Sequence, residues 1–549
     1  MVNTVNTPMQ QIGPFDYVII GGGTAGCVLA NRLSADPKFS VLMIEAGGKD
    51  TYPWIHIPVG YLYTMNNPRT DWMMKTAPDP GLGGRVLNYP RGRVLGGSSS
   101  INGMIYMRGQ SGDYDTWRQM GNVGWGWDDV LPYFLKSEDS FHGKSDLHNV
   151  GGEWRVERQR LKWDILEKFR DAADQVGIHP SDDMNTGDNE GSAYFEVNQK
   201  RGVRWHTGKG FLKPALGRKN LTVITRALTS KLVLDGKRVT GVDYTHKGKH
   251  FRALVNLEVL LAAGAVNSPK ILELSGIGDP EVLKRFDIPV LHERKGVGAN
   301  LQDHLQIRTV FKVKNAVTLN QKANSIFGKI LMGLEYAFNR SGPLSMAPSQ
   351  LGLFSKSDEY EKFPNLEWHI QPLSTDKLGD PLHPFPAITA SVCNLRPESR
   401  GHIHIQSLDP QEQPKLVMNY LSAKRDRDVA AKSIQMTRQI MAAPAVAFYE
   451  PQEILPGPEH VSDEDLVREA GNIASTIFHP VGTCKMGYDD LSVVDARLRV
   501  HGVQGLRVVD GSIMPTITSG NTCSPIIMIA EKAADMIIQD RLQNRSNKL

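Results

Sequence analysis

Residues 15–46 read FDYVIIGGGTAGCVLANRLSADPKFSVLMIEA, and this stretch decides the fold that the sequence predicts. Its apolar, β-branched start predicts a buried strand, and the apolar run that ends at Glu45 predicts a second one. Between them, Gly21, Gly23 and Gly26 have GxGxxG spacing, and an apolar pattern of helical period follows. This arrangement is a βαβ unit of the kind that binds dinucleotides.

Each part of this unit has a role in holding a pyrophosphate. Gly21 allows the tight turn, Gly23 lets the backbone approach the phosphates, and Gly26 lets the helix lie close to the strand. The helix N-terminus directs N–H groups and a partial positive charge at the same place. Glu45 lies 19 residues after Gly26 (45 − 26). This is close to the ~20 residues expected for the carboxylate that binds a ribose hydroxyl.

Length and composition indicate the number of lobes and the class of protein. A chain of 549 residues exceeds one ordinary core, so we expect two or more lobes. The 40% hydrophobic content, 22% charged content and net charge of +4 are typical of a globular protein and do not indicate nucleic-acid binding. The four cysteines lack CxxC spacing, which fits a reducing cytoplasm and predicts neither disulfides nor a metal framework. No apolar run approaches the ~20 residues of a membrane span.

The rest of the chain predicts further elements. Residues 1–14 have no signal-peptide pattern, and we predict a flexible tail there. Strand patterns return near residue 220, and EVLLAAG (258–264) leads through a small-residue turn into a helix. Residues 306–420 mix strand-like pieces with proline-rich loops, which predicts a separate antiparallel sheet. The segment LRVVDGS (506–512) predicts a strand that ends at Asp510, and a helix follows from about Pro525.

Several further motifs occur in a fixed order along the chain. They are RGRVLGGSSSINGMIYMRG (91–109) continuing to Asp115, GAVNSPKILELSGIG (264–278), GVGANLQDH (296–304), FHPVGTCKMG (478–487) and the segment around Asn521. Together with the opening βαβ unit, they strongly resemble the glucose–methanol–choline (GMC) oxidoreductases, flavoenzymes that oxidise alcohols. The likeness covers residues 15 to about 540 and is greatest for the bacterial choline dehydrogenase-like alcohol dehydrogenases.

The resemblance implies an α/β chain (α+β overall) with two domains. The expected FAD-binding, Rossmann-like βαβ domain is discontinuous and comprises residues 15–158, 214–305 and 476–546. The expected substrate-binding domain, an antiparallel sheet flanked by helices, comprises residues 159–213 and 306–475.

The resemblance also implies FAD and assigns its contacts position by position. The expected cofactor-binding residues are Gly21, Gly23, Thr24, Ala25, Gly26, Glu45, Val94, Gly97, Asn102, Gly103, Met104, Ile105, Thr229, Phe478, Asp510, Gly511 and Thr522. Residues 21–26 are expected to contact the phosphates, and Glu45 is expected to contact the adenosine ribose. Asp510 is expected to lie beside the ribityl chain and the isoalloxazine ring. Relatives that bind FAD covalently carry histidine where this chain has Ile101, so we expect non-covalent FAD.

The same likeness makes His479 the base that takes the alcohol proton and Asn521 its partner. Histidine suits this task because its pKa lies near the working pH. His304 also lies in a motif, and we interpret it as structural. His402 and His404 alternate along a predicted strand without an apparent third ligand, so no metal is expected.

Other activities stay open at this point. The likeness favours a dehydrogenase that passes electrons to a quinone-like carrier, while an oxygen-using oxidase is the alternative. A quinone acceptor leaves a peripheral membrane contact open, although no segment of the sequence indicates one, and the oligomeric state is not determined.

Light-driven decarboxylases of the family carry a cysteine where this chain has Leu395, but a hydroxynitrile lyase is not excluded. A nicotinamide dehydrogenase leaves the motifs from Gly92 and Gly264 without a role, and a non-catalytic flavin-binding module leaves His479 unexplained.

The substrate is the least determined feature. We favour a primary alcohol, aliphatic or aromatic. The ammonium group of choline would need an acid or an aromatic cage, for which the available residues are Trp72, Glu367 and Trp368. The apolar residues that suggest pocket walls are Phe327, Met332, Phe338, Met346 and Phe354.

Overall fold

A computed structural model describes residues 9–376 and 380–546, with side chains up to residue 543. The opening motif folds as predicted, with the strand Gln10–Ile20, the helix Thr24–Leu33 and the strand Val41–Glu45. All five residues of Val41–Glu45 and most of the helix are buried, because these segments are apolar on nearly every side. The predicted βαβ unit is therefore confirmed.

The first sheet grows outward from this unit. Val41–Glu45 and Lys249–Leu261 lie parallel to Gln10–Ile20 on its two sides, and Leu221–Thr225 extends the sheet beyond Val41–Glu45. The opposite edge consists of the antiparallel strands Ala227–Asp235 and Arg238–His246, and Leu506–Val508 pairs with the end of Lys249–Leu261. The parallel strands end at one edge of the sheet, which is where open α/β sheets bind ligands.

The first strand begins earlier than the sequence predicts. Gln10, Gln11 and Ile12 pair with residues 251–253 of the neighbouring parallel strand. The prediction of a flexible tail is therefore wrong for residues 10–14, because backbone pairing orders a segment whose side chains are mostly exposed and polar. Of the rest of that prediction, Met9 lies in neither a helix nor a strand, and residues 1–8 lie outside the described residues.

The second sheet is antiparallel, as predicted. Its strands, in spatial order, are Gln452–Leu455, Leu305–Lys312, Ala387–Asn394, Leu366–Gln371, Leu351–Ser355 and Gly191–Tyr194, and Ala474–Thr476 also pairs with Leu305–Lys312. One face is apolar and packs against the helix Lys424–Met441, where Trp368 Nε1 donates to Thr437 Oγ1 at 2.8 Å. The opposite face is polar, and strand alternation places Gln306, Arg308, His369 and Gln371 on it.

Helices cover both sheets. The longer ones are Thr24–Leu33, Ser111–Gln119, Trp127–Ser137, Asp164–Gln175, Gly264–Leu274, Ile326–Asn339, Lys424–Met441, Asp463–Ile473 and Cys523–Ser546. The last of these packs along Thr24–Leu33, and Arg32 Nη2 lies 2.6 Å from Glu531 Oε1 across that contact. None of the described helices has the length and hydropathy that crossing a membrane requires. The exact domain boundaries stay a prediction.

Short elements complete the described chain. The short helices are Pro53–His56, Tyr61–Thr64, Lys213–Ala215, Pro280–Lys284 and Leu319–Asn324. The short strand pairs are Met74–Lys75 with Asn88–Tyr89, Glu138–Ser140 with Trp154–Val156, Gln199–Lys200 with Val203–Arg204, Ile277–Gly278 with His292–Glu293, and His402–His404 with Lys415–Val417. The four cysteines are unpaired, as predicted.

Candidate active site

A cavity lies where the strand ends of the first sheet face the polar side of the second sheet. Among the residues predicted to bind the cofactor, those that line the cavity are Gly21, Gly23, Thr24, Ala25, Glu45, Gly97, Asn102, Gly103, Met104, Ile105, Thr229, Phe478, Asp510, Gly511 and Thr522. Two others lie behind the lining. Gly26 is inside the first helix, and Val94 is buried and pairs with Gly48 through its backbone.

The glycines allow backbone segments to touch at one end of this cavity. A Cβ on Gly26 would lie 1.9 Å from the carbonyl oxygen of Gly21, and one on Gly97 would lie 2.6 Å from Cα of Gly23. Gly21 itself has φ of 102°, which only glycine adopts readily. Gly23 caps the helix Thr24–Leu33 without a side-chain hydrogen bond, so the first N–H groups of the helix remain available to a ligand. This backbone cradle fits a pyrophosphate.

Two buried carboxylates are oriented along the cavity. Glu45 accepts hydrogen bonds from the N–H of Gly22 at 2.7 Å and of Gly47 at 2.6 Å. Asp510 accepts from the N–H of Gly264 at 2.8 Å and from Ser268 Oγ at 2.6 Å, which links it to the motif at 264–278. Burial raises the pKa of both carboxyls, while these hydrogen bonds act in the opposite direction.

Two non-glycine residues of the lining have left-handed backbone conformations. Met104 has φ of 63° and Phe478 has φ of 70°. Phe478 is held on both sides, since its N–H donates to Thr476 Oγ1 at 2.8 Å and its carbonyl accepts from Arg91 Nη1 at 3.0 Å. Such conformations persist only where the surroundings enforce them, and they concentrate at functional sites.

The structure brings the two predicted catalytic residues together. Nδ2 of Asn521 lies 3.1 Å from Nε2 of His479, and both residues line the cavity. The ring of His479 is well shielded, with the residue 7% exposed. On its other side, Nδ1 of His479 lies 3.0 Å from Nδ1 of His304, which is fully buried.

A backbone carbonyl determines where the protons sit in this chain of rings. Nε2 of His304 lies 3.3 Å from the carbonyl oxygen of Leu395, which can only accept, so this nitrogen carries the proton. Nδ1 of neutral His304 then accepts, and Nδ1 of His479 must donate to it. Nε2 of neutral His479 is left without a proton, and Asn521 presents its amide N–H to it.

The surroundings keep both rings neutral. Burial is the largest cause, and it lowers the pKa of His304. The pKa of His479 is lowered well below its ordinary value of 6.5, first by burial and then by His304, His369 and Arg91. The unprotonated Nε2 of His479 is therefore available as a base at neutral pH.

The carboxylate of Asp303 holds the catalytic segment in place. Its Oδ1 accepts from the backbone N–H of His479 at 2.7 Å. Its Oδ2 accepts from three hydroxyls, those of Tyr89 at 2.9 Å, Tyr420 at 2.6 Å and Thr476 at 2.6 Å. Sequence reasoning did not assign a role to Asp303, although it directly precedes His304 in the motif GVGANLQDH, and that position was the available signal.

Other lining residues were also missed, and several expected wall residues lie elsewhere. The unassigned lining residues include Tyr61, Arg91, Gln306, Arg308, His369 and Gln371. Trp72 lines the cavity, but Glu367 and Trp368 are buried in the second sheet and are not part of the lining. The five residues expected to form apolar walls do not line the cavity, because Met332, Met346 and Phe354 pack in the cores, while Phe327 and Phe338 are exposed to solvent.

One histidine of the pair considered for metal binding, His404, has a carboxylate partner. Nδ1 of His404 lies 2.6 Å from Oε1 of Glu273, which places it in an ion-pair arrangement between the helix Gly264–Leu274 and a short strand. Among the residues that the structure describes, two other groups are close enough to share an ion, namely His142 with His148 and Asp183, and Glu367 with His369 and Cys393. The expectation that no metal is bound stays a prediction.

Comparison with known proteins agrees with this geometry. Family models described as GMC oxidoreductase match residues 15–306 and 397–530 of the chain. The chain belongs to the GMC oxidoreductase family.

Relatives within this family match the whole length of the chain. It is 40% identical to an "Alcohol dehydrogenase [acceptor]" of Pseudomonas putida over 529 residues, 96% of each chain. It is 41% identical to an "Oxygen-dependent choline dehydrogenase" of Shigella flexneri over 540 residues, 97% of each chain. Its fold is similar to that of an FAD-dependent oxidoreductase from Chaetomium thermophilum, with a TM-score of 0.88, 26% identity, and coverage of 96% of this chain and 99% of the other. Family and neighbour thus support FAD as the cofactor, and the backbone cradle fits it.

Replacing Gly97 by alanine is expected to weaken FAD binding, because the new Cβ would meet Cα of Gly23 at 2.6 Å. Gly236 provides a matched control, since its φ of 55° equals the 54° of Gly97 within a degree and nothing lies within 4 Å of its Cβ position. We expect the dissociation constant for FAD, measured by flavin fluorescence, to rise at least about tenfold in Gly97→Ala. Gly236→Ala should retain the flavin content of the wild type, and equal retention by both variants contradicts the assignment of the cradle.

Proposed function

We propose that the protein is an FAD-dependent dehydrogenase that oxidises a primary alcohol to an aldehyde and passes the electrons to a quinone-like acceptor. The observation that carries this proposal is the unprotonated Nε2 of His479, which lies beside Asn521 in the cavity that contains the dinucleotide cradle. Support also comes from the name of the Pseudomonas putida relative, an alcohol dehydrogenase that uses an acceptor.

The residues of the cavity can hold FAD along its whole length. Gly21–Gly26 would meet the phosphates, Glu45 the adenosine ribose and Asp510 the flavin end. When bound, FAD accepts the hydride of the carbinol carbon at N5. Ile101 lines the cavity at the position where covalent relatives carry histidine, and it offers no nucleophile, so we propose non-covalent binding.

His479 acts as the general base in this proposal. The alcohol replaces the amide N–H of Asn521 at Nε2, which then accepts the hydroxyl proton, and the freed amide N–H donates to the alcohol oxygen. Within the described part of the chain, Oδ1 of Asn521 is buried without a hydrogen-bond partner, which suits an amide that completes its bonding only with a ligand. General-base catalysis of this kind contributes about 10²–10⁴ in rate.

His304 and the last helix assist without touching the alcohol. The lone pair on Nδ1 of His304 keeps the N–H of His479 pointing away from the cavity and stabilises the ring once it is protonated. Asn521 and Thr522 precede the helix Cys523–Ser546, and Cys523 also lines the cavity. The positive end of this helix therefore favours negative charge in the cavity, by about 0.3–1 kcal/mol.

The charges of the lining favour a neutral or anionic alcohol over choline. The carboxylates in the described part of the lining are Glu45 and Asp510. Both accept hydrogen bonds from backbone N–H or hydroxyl groups of the protein. The second sheet contributes Arg308, which donates to the carbonyl of Thr375 at 3.5 Å. Among the described residues it has no direct ion pair, and Asp376 and Asp380 attract it from a longer distance. A guanidinium that no carboxylate pairs directly repels a quaternary ammonium group.

An oxygen-using alcohol oxidase is the second candidate. The name of the Shigella flexneri relative, an oxygen-dependent choline dehydrogenase, favours it. A lyase on the same fold is the third, and bleaching of the flavin by an alcohol without air separates it from both oxidoreductases, because a lyase leaves the flavin oxidised.

His479→Ala is expected to fold and to retain its yellow flavin, yet to reduce that flavin about 10²–10⁴ times more slowly when an alcohol is added. The rate is measured by anaerobic stopped-flow absorbance. His179→Ala is the control, since the His179 side chain is 78% exposed and is not part of the cavity lining. An unchanged rate in His479→Ala would refute the assignment.

Arg308→Glu is expected to change the preference between choline and its neutral isostere 3,3-dimethylbutan-1-ol. A unit charge about 10 Å away contributes ~1.7 kcal/mol at an effective dielectric of about 20, or more than tenfold in kcat/KM. The wild type should prefer the neutral alcohol, and Arg308→Glu should reduce or reverse that preference, with Arg308→Gln in between. A wild type that prefers choline contradicts this part of the proposal.

A further inference from the structure

The helix Ile326–Asn339, which we call the apolar helix, presents its hydrophobic side to solvent. Its buried residues are Met332 and Tyr336. The large apolar residues that it exposes, each between 49% and 81%, are Ile326, Phe327, Ile330, Leu331, Leu334 and Phe338. Exposed apolar stripes of this size on a folded protein indicate a surface that contacts a partner.

The exposed side chains form one continuous stripe. Ile326, Ile330, Leu334 and Phe338 recur at intervals of four residues, so they lie above one another along the same side of the helix. Phe327 and Leu331 widen the stripe. A helix of 14 residues is about 21 Å long, too short for the ~30 Å hydrocarbon core of a bilayer. It has the length and apolar side of a helix that lies in the plane of a membrane surface.

Basic residues surround the apolar helix. Lys329 is exposed on the helix, Arg340 caps its C-terminus, and Nη2 of Arg160 donates to the carbonyl of Asn339 at 3.4 Å. The single acid in the helix sequence, Glu335, accepts a hydrogen bond from Ser341 Oγ at 3.3 Å. An apolar stripe with a basic border matches a surface of anionic lipids, where acyl chains take the stripe and head groups take the cations.

The apolar helix is connected to the rim of the cavity. It packs on the turn Pro343–Ser345, which packs in turn on Pro58–Gly60. The next residues form the helix Tyr61–Thr64, in which Tyr61 lines the cavity while Leu62 and Tyr63 are 43% and 50% exposed. A membrane bound to the apolar helix therefore lies beside the segment that borders the flavin cavity.

We infer that the apolar helix docks the protein on the surface of a membrane that contains anionic lipids, so that a lipid-soluble quinone can reach the cavity. The quinone part of this inference rests on the proposed function. The docking itself does not, because the exposed stripe, its basic border and its contact with the rim are independent of the reaction.

Flotation of the flavin-loaded full chain with lipid vesicles tests the docking. The vesicles contain phosphatidylcholine alone or phosphatidylcholine with phosphatidylglycerol. We expect the wild type to float with the anionic vesicles, and added salt to weaken this binding. The double variant Phe327→Ser/Phe338→Ser should lose at least tenfold in partitioning. Phe448→Ser is the matched control, because Phe448 is a comparably exposed phenylalanine, 68% exposed, in a different helical segment.

Two outcomes overturn the docking: a wild type that stays with the unbound fraction, and a double variant that floats as well as the wild type. Sedimentation velocity tests whether a second copy of the chain binds the apolar helix instead of a membrane. A wild type that is dimeric, together with a monomeric Phe327→Ser/Phe338→Ser variant, would show that it does.

Activity measurements separate this inference from the proposed function. With a water-soluble dye as acceptor, both variants should oxidise alcohols at the wild-type rate. With quinone incorporated in anionic vesicles, Phe327→Ser/Phe338→Ser alone should be slower, by at least tenfold. Dye activity absent from every form contradicts the proposed function and leaves the flotation result standing. Equal quinone-linked rates contradict the link between docking and electron transfer.

Discussion

The active site depends on the buried carboxylate of Asp303. It accepts hydrogen bonds from the backbone N–H groups of His304 and His479 through one oxygen, and from three hydroxyls through the other. Hydrogen bonds to a charged group contribute about 1.5–3 kcal/mol each, so this single group ties together segments that are distant in sequence. It fixes the backbone of both histidines, and the carbonyl of Leu395 then sets the proton positions of the two rings.

The two sheets divide the remaining tasks. The first sheet ends its parallel strands at the cradle, where Gly21, Gly26 and Gly97 lie too close to other backbone segments for a Cβ. The second sheet turns its apolar face to a helix and its polar face to the cavity, which brings Arg308 and His369 to the substrate side. In the proposed function, close backbone approach at the glycines serves the cofactor, and the side chains of one sheet face serve the selection of the substrate.

The sequence predicted the elements whose signals are local. The strand, turn and helix around Gly21–Gly26 follow from spacing and periodicity alone. The family resemblance named His479 and Asn521, whose side chains lie 3.1 Å apart. The start of the first strand at Gln10 could not be predicted, because its order comes from pairing with residues 251–253. The proton arrangement needed the carbonyl of Leu395, which no sequence pattern places near His304. Phe327 and Phe338 were misassigned because an apolar helix looks the same in sequence whether it faces a core or the solvent.

The pH dependence of flavin reduction by an alcohol, followed in anaerobic stopped flow, tests the central claim most directly. In the proposed mechanism neutral His479 is the active form, and burial together with His304, His369 and Arg91 lowers its pKa well below 6.5. A lowered pKa means that the ring loses its base function only when the pH falls below that value. The account therefore predicts a constant rate from neutral pH down past 6.5, with a decline only in more acidic solution. A decline centred at or above pH 6.5 would contradict it.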